Sequence, residues 1–169
     1  MPSQAYDFRA MSAADLPLLR RWLAAPHVAE WWEEPEQELA QLSRDLAEPA
    51  IGQLIVASKG RSFGYLQCYD LAASPDNAVA AQPVGGRGIE QLIGEPDMIE
   101  RGHGSAFTRA CLERLFAAGC PRLLTDPDPN NKRAIRAYDK AGFWRYREVE
   151  MATGRALLLI RDNNRTTPA

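Results

Sequence analysis

The chain has 169 residues, 46% of them apolar, 25% charged and 8% aromatic, with a formal net charge of −2. At ~150 residues per domain this makes one domain, which buries roughly two-thirds of its unfolded surface without a disulfide or metal staple. The charge balance excludes a basic nucleic-acid footprint as the default reading, and no apolar run approaches the ~20 residues that cross a bilayer.

Taken in chain order, Tyr6 to Met11 alternates like a first strand. Ser12-Ala13-Ala14-Asp15 reads as a capping box with Asp in place of Glu, opening a helix through Trp22 and Leu23. Pro26 breaks that helix, and a short second one carries His27 to Trp32; Pro35 restarts helix to about Leu46. Ile51–Ser58 and Phe63–Tyr69 are expected strands joined by a turn at Lys59-Gly60-Arg61. Residues 71–86, rich in Ala, Ser, Pro and Gly, are expected to be loop, and Gly88–Ile93 a short central strand. From Gly104, apolar residues recur at helical spacing until Gly119. Arg122–Thr125 is the next strand, residues 126–129 a turn, and Ala134 to Ala141 a helix closed by Gly142. Phe143–Glu150 and Arg155–Ile160 complete a terminal hairpin around Thr153-Gly154. The result is a mixed α/β (α+β) sheet of about seven strands with helices on both faces, one domain over residues 5–162 and a disordered tail over 163–169.

Cys68, Cys111 and Cys120 are odd in number and scattered, which indicates neither a disulfide framework nor a zinc site. His27 and His103 lack metal-ligand neighbours. With no secretory pattern at the N-terminus, the expectation is a cytoplasmic, reduced protein. Residues 1–50 hold nine Asp/Glu against four Lys/Arg, and the rest thirteen against sixteen, so one segment suits a cationic partner and the other an anionic one. Arg101-Gly102-His103-Gly104-Ser105-Ala106 lies between a strand and a long helix. Glycines there free backbone N–H groups, and the helix dipole adds roughly half a positive charge, as a phosphate-bearing ligand requires; a plain loop ahead of a helix is the alternative. It is neither a P-loop, which needs Lys after its last Gly, nor a dinucleotide fingerprint, since Phe107 stands where a third Gly would.

That segment and Asn131 to Phe143 together resemble the GNAT superfamily of acetyl-CoA-dependent N-acetyltransferases. Arg101–Ala106 is similar to its Q/R-x-x-G-x-G/A pyrophosphate loop, and Asn131–Phe143 to its N-x-x-A-x-x-x-Y-x-x-x-G-F helix. The likeness spans nearly the whole chain. Trp22-Leu23, His27–Trp32, Arg87–Leu92 and Thr125–Asn130 resemble the aminoglycoside 6′-N-acetyltransferases. There are two departures: Glu90 replaces the Asp of the family's R-G-I-D-Q strand, and the segment from Leu71 to Gly86 lacks the family's Trp and most of its acids, leaving Asp70 and Asp76.

The resemblance implies acetyl-CoA as co-substrate without a metal, held by Arg101, Gly102, His103, Gly104, Ser105, Ala106, Asn131, Ala134 and Tyr138, with backbone of Leu92 and Ile93 facing the thioester. It implies direct transfer in a ternary complex, with Glu90 taking the surplus proton of the amine and Tyr138 assisting the departing thiolate. Asp126, with Trp31, Trp32 and Glu90, would hold a small cationic amine, and no nucleic acid or membrane is implied. Each residue also has a plain structural reading. Glu90 would be a solvated strand residue, Tyr138 part of the apolar stripe with Ala134 and Ile135, and Asp126 a turn opener before Pro127. Trp31 and Trp32 would then be one core and one partly exposed residue beside a solvated acidic face. Three functions follow. The leading one is aminoglycoside 6′-N-acetyltransferase-like transfer to a primary amine. Acylation of a hydroxylated lysine in siderophore assembly is the second, given the H-x-x-x-W-W pattern of His27–Trp32. A non-catalytic acyl-CoA-binding module is the third, and a monomer or homodimer fits each.

Overall fold

The structure, a computed structural model, describes residues 5–163. Strands β1 (Asp7–Ala10), β2 (Ile51–Ser58), β3 (Arg61–Asp70), β4 (Arg87–Ile93), β5 (Arg122–Thr125), β6 (Trp144–Met151) and β7 (Gly154–Asp162) form one seven-stranded sheet in the order β1-β2-β3-β4-β5-β7-β6. The helices are α1 (Leu16–Leu23), α2 (Pro26–Ala29), α3 (Pro35–Asp45), α4 (Asn77–Ala80), α5 (His103–Ala117) and α6 (Lys132–Lys140). The β4–β5 pair is parallel, whereas β1–β2, β5–β7 and β6–β7 are antiparallel, so the sheet is mixed as the sequence predicts. Expected residues 164–169 of the tail lie outside the described residues. Asn163 is not loose: its amide donates to the carbonyls of Phe116 (3.0 Å) and Cys120 (3.1 Å).

The backbone divides into two compact units. The first comprises Met1–Cys68 with Glu90–Phe107. Its helical entry follows from local chemistry: the Ser12 N–H donates to Asp15 Oδ2 at 2.9 Å, and Arg9 clamps both oxygens of the same carboxylate at 2.6 and 2.8 Å. A 3-10 turn at Ala13–Asp15 therefore precedes α1, where the sequence reading had one continuous helix. The apolar face of α1 (Leu19, Trp22, Leu23) meets Val28, Leu39, Leu42, Ile55, Tyr65 and Leu92 in one core. Burying each such side chain contributes about 1.5–3 kcal/mol. Gly94 lies directly under the indole of Trp22, where a Cβ would come within 2.0 Å of Cγ. The indole N–H donates to Glu95 Oε1 at 2.8 Å, and the Gly94 N–H to the Phe63 carbonyl at 2.8 Å, which together fix the C-terminal end of β4. α2 stops at Ala29, shorter than expected, and Trp31 and Trp32 occupy the following turns with both N–H groups on the Val28 carbonyl.

The second unit comprises Tyr69–Ile89 with Thr108–Ala169. Residues 71–86 are not plain loop: a 3-10 turn covers Leu71–Ala73 and α4 covers Asn77–Ala80. Asp70 caps the turn by accepting from the Ala72 N–H at 3.0 Å, and Leu71 and Val79 are buried with Leu124, Leu158 and Ile160. Those two apolar anchors order a segment whose Ser, Pro, Asp, Asn and Gly residues read as irregular. The β4–β5 ladder pairs Arg87 with Leu123 and Gly88 with Leu124. Gly88 is obligatory there, because a Cβ would fall 2.1 Å from the Tyr69 ring. α6 closes at Gly142 (φ +91°), where the Phe143 N–H reaches back to the Tyr138 carbonyl at 3.1 Å, a left-handed C-terminal cap.

Candidate functional site

The glycine segment folds as its chemistry requires. Glu100 (φ +59°) and Gly102 (φ +82°) both take left-handed backbone, and Gly102 has open space where a Cβ would stand. The Ala106 N–H and the Ser105 hydroxyl each donate to the Gly102 carbonyl at 3.1 Å, tying the turn to the start of α5. The amides of His103, Gly104 and Ser105 stand at the open end of that helix, where no intrahelical carbonyl reaches them. The positive end of the dipole and three convergent donors suit a diphosphate. Arg101 is exposed beside them. The Ser105 side chain is buried with its hydroxyl used within the turn, and the His103 ring is buried too, which leaves their backbone N–H groups as the donors expected there.

On β4, Glu90 and Leu92 share one face by strand alternation, and Leu92 packs in the core beside Tyr65. Tyr65 Oη donates to Gln67 Oε1 at 2.7 Å, and the Gln53 amide, 7% exposed, donates to the Leu42 carbonyl at 3.0 Å. Burial drives the Tyr65 hydroxyl pKa far upward; the carboxylates of Glu90, Asp45 and Glu38 push the same way, and a bond from Gln53 opposes them. Glu38 is half-buried, and its own pKa rises through burial and the neighbouring Asp45. Trp32 meets the Tyr65 ring edge-on at 6.4 Å. Trp31 and Trp32 are both partly buried, while the fully buried tryptophan of this unit is Trp22. Glu30, Glu33, Glu34 and Glu36 are exposed. A ring nitrogen of His27 lies 2.8 Å from the Ile93 carbonyl. Gln91 Oε1 is buried with no hydrogen-bond partner among the described residues. Gln53 and Gln67 have a sequence signal in being polar residues at inward positions of apolar strands, whereas Gln91 belongs to the strand likened to R-G-I-D-Q.

In the second unit, Asp126 follows β5 and is partly buried. Loss of water raises its carboxyl pKa, and Asp76 adds repulsion. Asn131 caps α6, its Oδ1 accepting from the Ala134 N–H at 3.1 Å, so that its side chain is committed to the helix. Ala134 is partly buried on the first turn. Tyr138 is 4% exposed and packs edge-on against Phe143 at 5.5 Å, as its place on the apolar stripe requires. Among the described residues no three His, Cys, Asp or Glu side chains group as a metal ion would need, and no helix is long and apolar enough to cross a membrane.

Comparison with known proteins gives the family. Residues 12–151 match the family model described as an acetyltransferase (GNAT) domain. An aminoglycoside N(6′)-acetyltransferase type 1 of Klebsiella pneumoniae is 35% identical over 167 residues, covering 94% of this chain and 83% of that protein. A lysine N-acyltransferase of Mycobacterium tuberculosis is 27% identical over 146 residues, covering 81% and 68%. Among solved structures, aminoglycoside acetyltransferase AAC(6′)-Ib with coenzyme A and kanamycin superposes at TM-score 0.84 and 32% identity, over 94% of this chain and 95% of that one. The same enzyme with ribostamycin and coenzyme A gives 0.86 at 30% identity, over 98% and 99%.

Proposed function

The chain belongs to the GNAT acetyltransferase family and is an N-acetyltransferase, and on that premise we propose that it acetylates the 6′-amine of an aminoglycoside from acetyl-CoA. The observation that carries this reading is the left-handed turn at Gly102 with its open α5 amides, a ready anion cradle ahead of a 15-residue helix. The backbone of Arg101–Ala106 would hold the diphosphate, and Leu92 and Ile93 would offer strand backbone to the extended arm and the thioester oxygen. Acetyl-CoA supplies the acetyl group as an activated thioester. Glu90 accepts the proton that an attacking ammonium must lose, since an alkylamine with pKa near ~10.4 is charged at neutral pH. Tyr138 donates to the sulfur as it departs. By the family likeness Asp126 is an acceptor-binding carboxylate, and Trp31, Trp32 and Glu90 are further acceptor-binding candidates. A cytoplasmic setting, where acetyl-CoA is made and the buried thiols Cys68, Cys111 and Cys120 stay reduced, fits this chemistry.

The test is turnover. Purified protein with acetyl-CoA and a panel of aminoglycosides should release free thiol and yield a product heavier by one acetyl group at the 6′-amine. Turnover of a hydroxylated lysine with no aminoglycoside acetylated would transfer the assignment to the second acceptor, which the more distant lysine N-acyltransferase likeness favours. Coenzyme A binding with no turnover of any amine would leave the acyl-CoA-binding module.

A further inference from the structure

His103 stands at the first position of α5, and its side chain goes the other way from the ligand face. Its ring is 7% exposed and lies among Tyr6, Phe63 and Phe107, at centroid distances of 5.9 Å to Tyr6 and 5.2 Å to Phe63. The Tyr6 hydroxyl sits 2.9 Å from His103 Nδ1, across a sequence separation of 97 residues. Tyr6 in turn packs 6.1 Å from both Phe63 and Phe107, which closes the aromatic box.

The turn before α5 needs such an anchor. Gly102 has no side chain and its Cβ position touches nothing, Gly104 follows one residue into the helix, and Glu100 and Arg101 are exposed. Glycine backbone is the most permissive there is, and the bonds of the Ala106 N–H and the Ser105 hydroxyl to the Gly102 carbonyl close the turn on itself without tying it to the rest of the unit. His103 is the first residue of the segment with a buried side chain. We propose that Tyr6 and His103 are positioning residues for acyl-CoA: their hydrogen bond locks the imidazole in the aromatic box and thereby holds the first-turn amides of α5 aimed at the diphosphate. The proposal rests on the reading of residues 101–106 as the diphosphate cradle.

The chemistry of the pair is consistent with a lock. Burial pushes the Tyr6 hydroxyl pKa up and the His103 pKa down, and Arg101 lowers the latter further, so both groups are neutral near pH 7. A neutral imidazole offers one donor and one acceptor. One bond then joins the two, with the hydroxyl donating to Nδ1 and the ring proton on Nε2, or with the opposite sense. Fixing the amides beforehand lowers the ordering cost of binding, which appears in affinity for the nucleotide rather than in the chemical step.

Tyr6→Phe removes the hydroxyl and keeps the ring, and His103→Phe fills the box while removing the acceptor. Calorimetry with coenzyme A, acetyl-transfer kinetics and thermal unfolding are measured on wild type, both single variants and the double variant. The expected result is a rise of about three- to tenfold in the coenzyme A Kd and the acetyl-CoA KM for either single variant, the loss of one neutral hydrogen bond, with kcat within twofold. In the His103→Phe background, adding Tyr6→Phe should change Kd by less than twofold, because the bond is already gone. His103→Asn, which keeps a polar atom near the Nδ1 position, should recover part of the loss. Folded single variants that bind coenzyme A like wild type overturn the lock and leave the function standing. So does a double variant whose losses simply multiply. A wild-type protein that gives no heat with coenzyme A overturns the cradle and the lock together.

Discussion

Tyr138 carries two assignments, one in the core and one in the reaction, and substitution separates them. The ring is 4% exposed, lies edge-on to Phe143 at 5.5 Å, and shares its helix face with Ile135 and Ala141. Tyr138→Phe preserves that ring and its edge-to-face partner and removes one hydroxyl. A hydroxyl of this kind contributes about 0.5–1.5 kcal/mol to stability. At about 2–4 °C per kcal/mol for a chain of this size, Tm should fall by less than ~6 °C. Tyr138→Ala instead empties the site, at about 3–5 kcal/mol, and forfeits the aromatic pair as well, so Tm should drop by roughly 6–20 °C. Catalysis should order the variants differently. A thiolate whose conjugate acid has pKa ~8.5 leaves readily, so assistance to it belongs at the low end of general-acid effects, about 10²-fold. That is about 2.7 kcal/mol of barrier at 1.36 kcal/mol per tenfold. Thiol-release kinetics on Tyr138→Phe should therefore give kcat about two orders of magnitude down with KM for acetyl-CoA within threefold, in a protein nearly as stable as wild type. A Phe variant with kcat within threefold of wild type would make Tyr138 a core residue and nothing more. A Phe variant as unstable as the Ala variant would mean that the hydroxyl, and not the ring, holds this part of the second unit together.

Glu90→Gln should lower kcat/KM for the amine by about 10²–10⁴-fold and remove the acid limb of its pH profile, while Glu90→Asp, the family's residue, keeps most activity; equal pH profiles for Gln and wild type would exclude a base at 90. Gly94→Ala forces the buried indole of Trp22 to move, because the new Cβ falls 2.0 Å from Cγ. Overpacking costs about 1–3 kcal/mol and displacement of the indole adds its bond to Glu95, so urea unfolding should show at least ~2 kcal/mol lost, and a change under ~0.5 would contradict the packing. Arg9→Met tests acid stability. The Arg9 guanidinium, with the Ser12 N–H, holds the Asp15 carboxyl below the ordinary 3.8, against an opposing effect of burial. A depressed carboxylate contributes stability that is present above the unfolded value and lost as pH falls through the folded one. Wild type should therefore exceed the variant by a constant margin above about pH 4.5, and the two unfolding curves should converge below it; a margin unchanged at pH 2 would refute the ion pair as its source.

The strands in chain order, the hairpins, α5 and α6 are legible because each has a local cause: alternation, a Lys59-Gly60 turn, 3.6-residue spacing, and glycines where φ must be positive. Several features that matter to the site have no local cause. His103 follows a glycine in a polar hexapeptide and reads as a loop residue; what buries it is Tyr6, which no spacing rule connects to it. Leu71 and Val79 stand among alanines and turn formers with no periodicity, and Leu124, Leu158 and Ile160, distant in sequence, make them anchors. Asn131 shows the converse. The family pattern marks it as a cofactor residue, yet an Asn three residues ahead of a helical N–H is already a capping signal, and capping is what its side chain does.

The acidic first third of the chain is the clearest case of a property visible as a sum and uninformative until it is folded. Part of that charge is neutralised locally, Asp15 by Arg9 and Glu36 by Arg20, and part is dispersed on exposed glutamates. Glu38 and Asp45 are different: neither is in a salt bridge among the described residues. Burial raises the Tyr65 hydroxyl pKa most, and these two carboxylates push it the same way with Glu90. Loss of water raises the Glu38 pKa, and repulsion from the neighbouring Asp45 raises it further. A cation brought among these carboxylates relieves that repulsion. On the proposed function, an acceptor carrying several ammonium groups gains attraction from Glu38, Asp45 and Glu90.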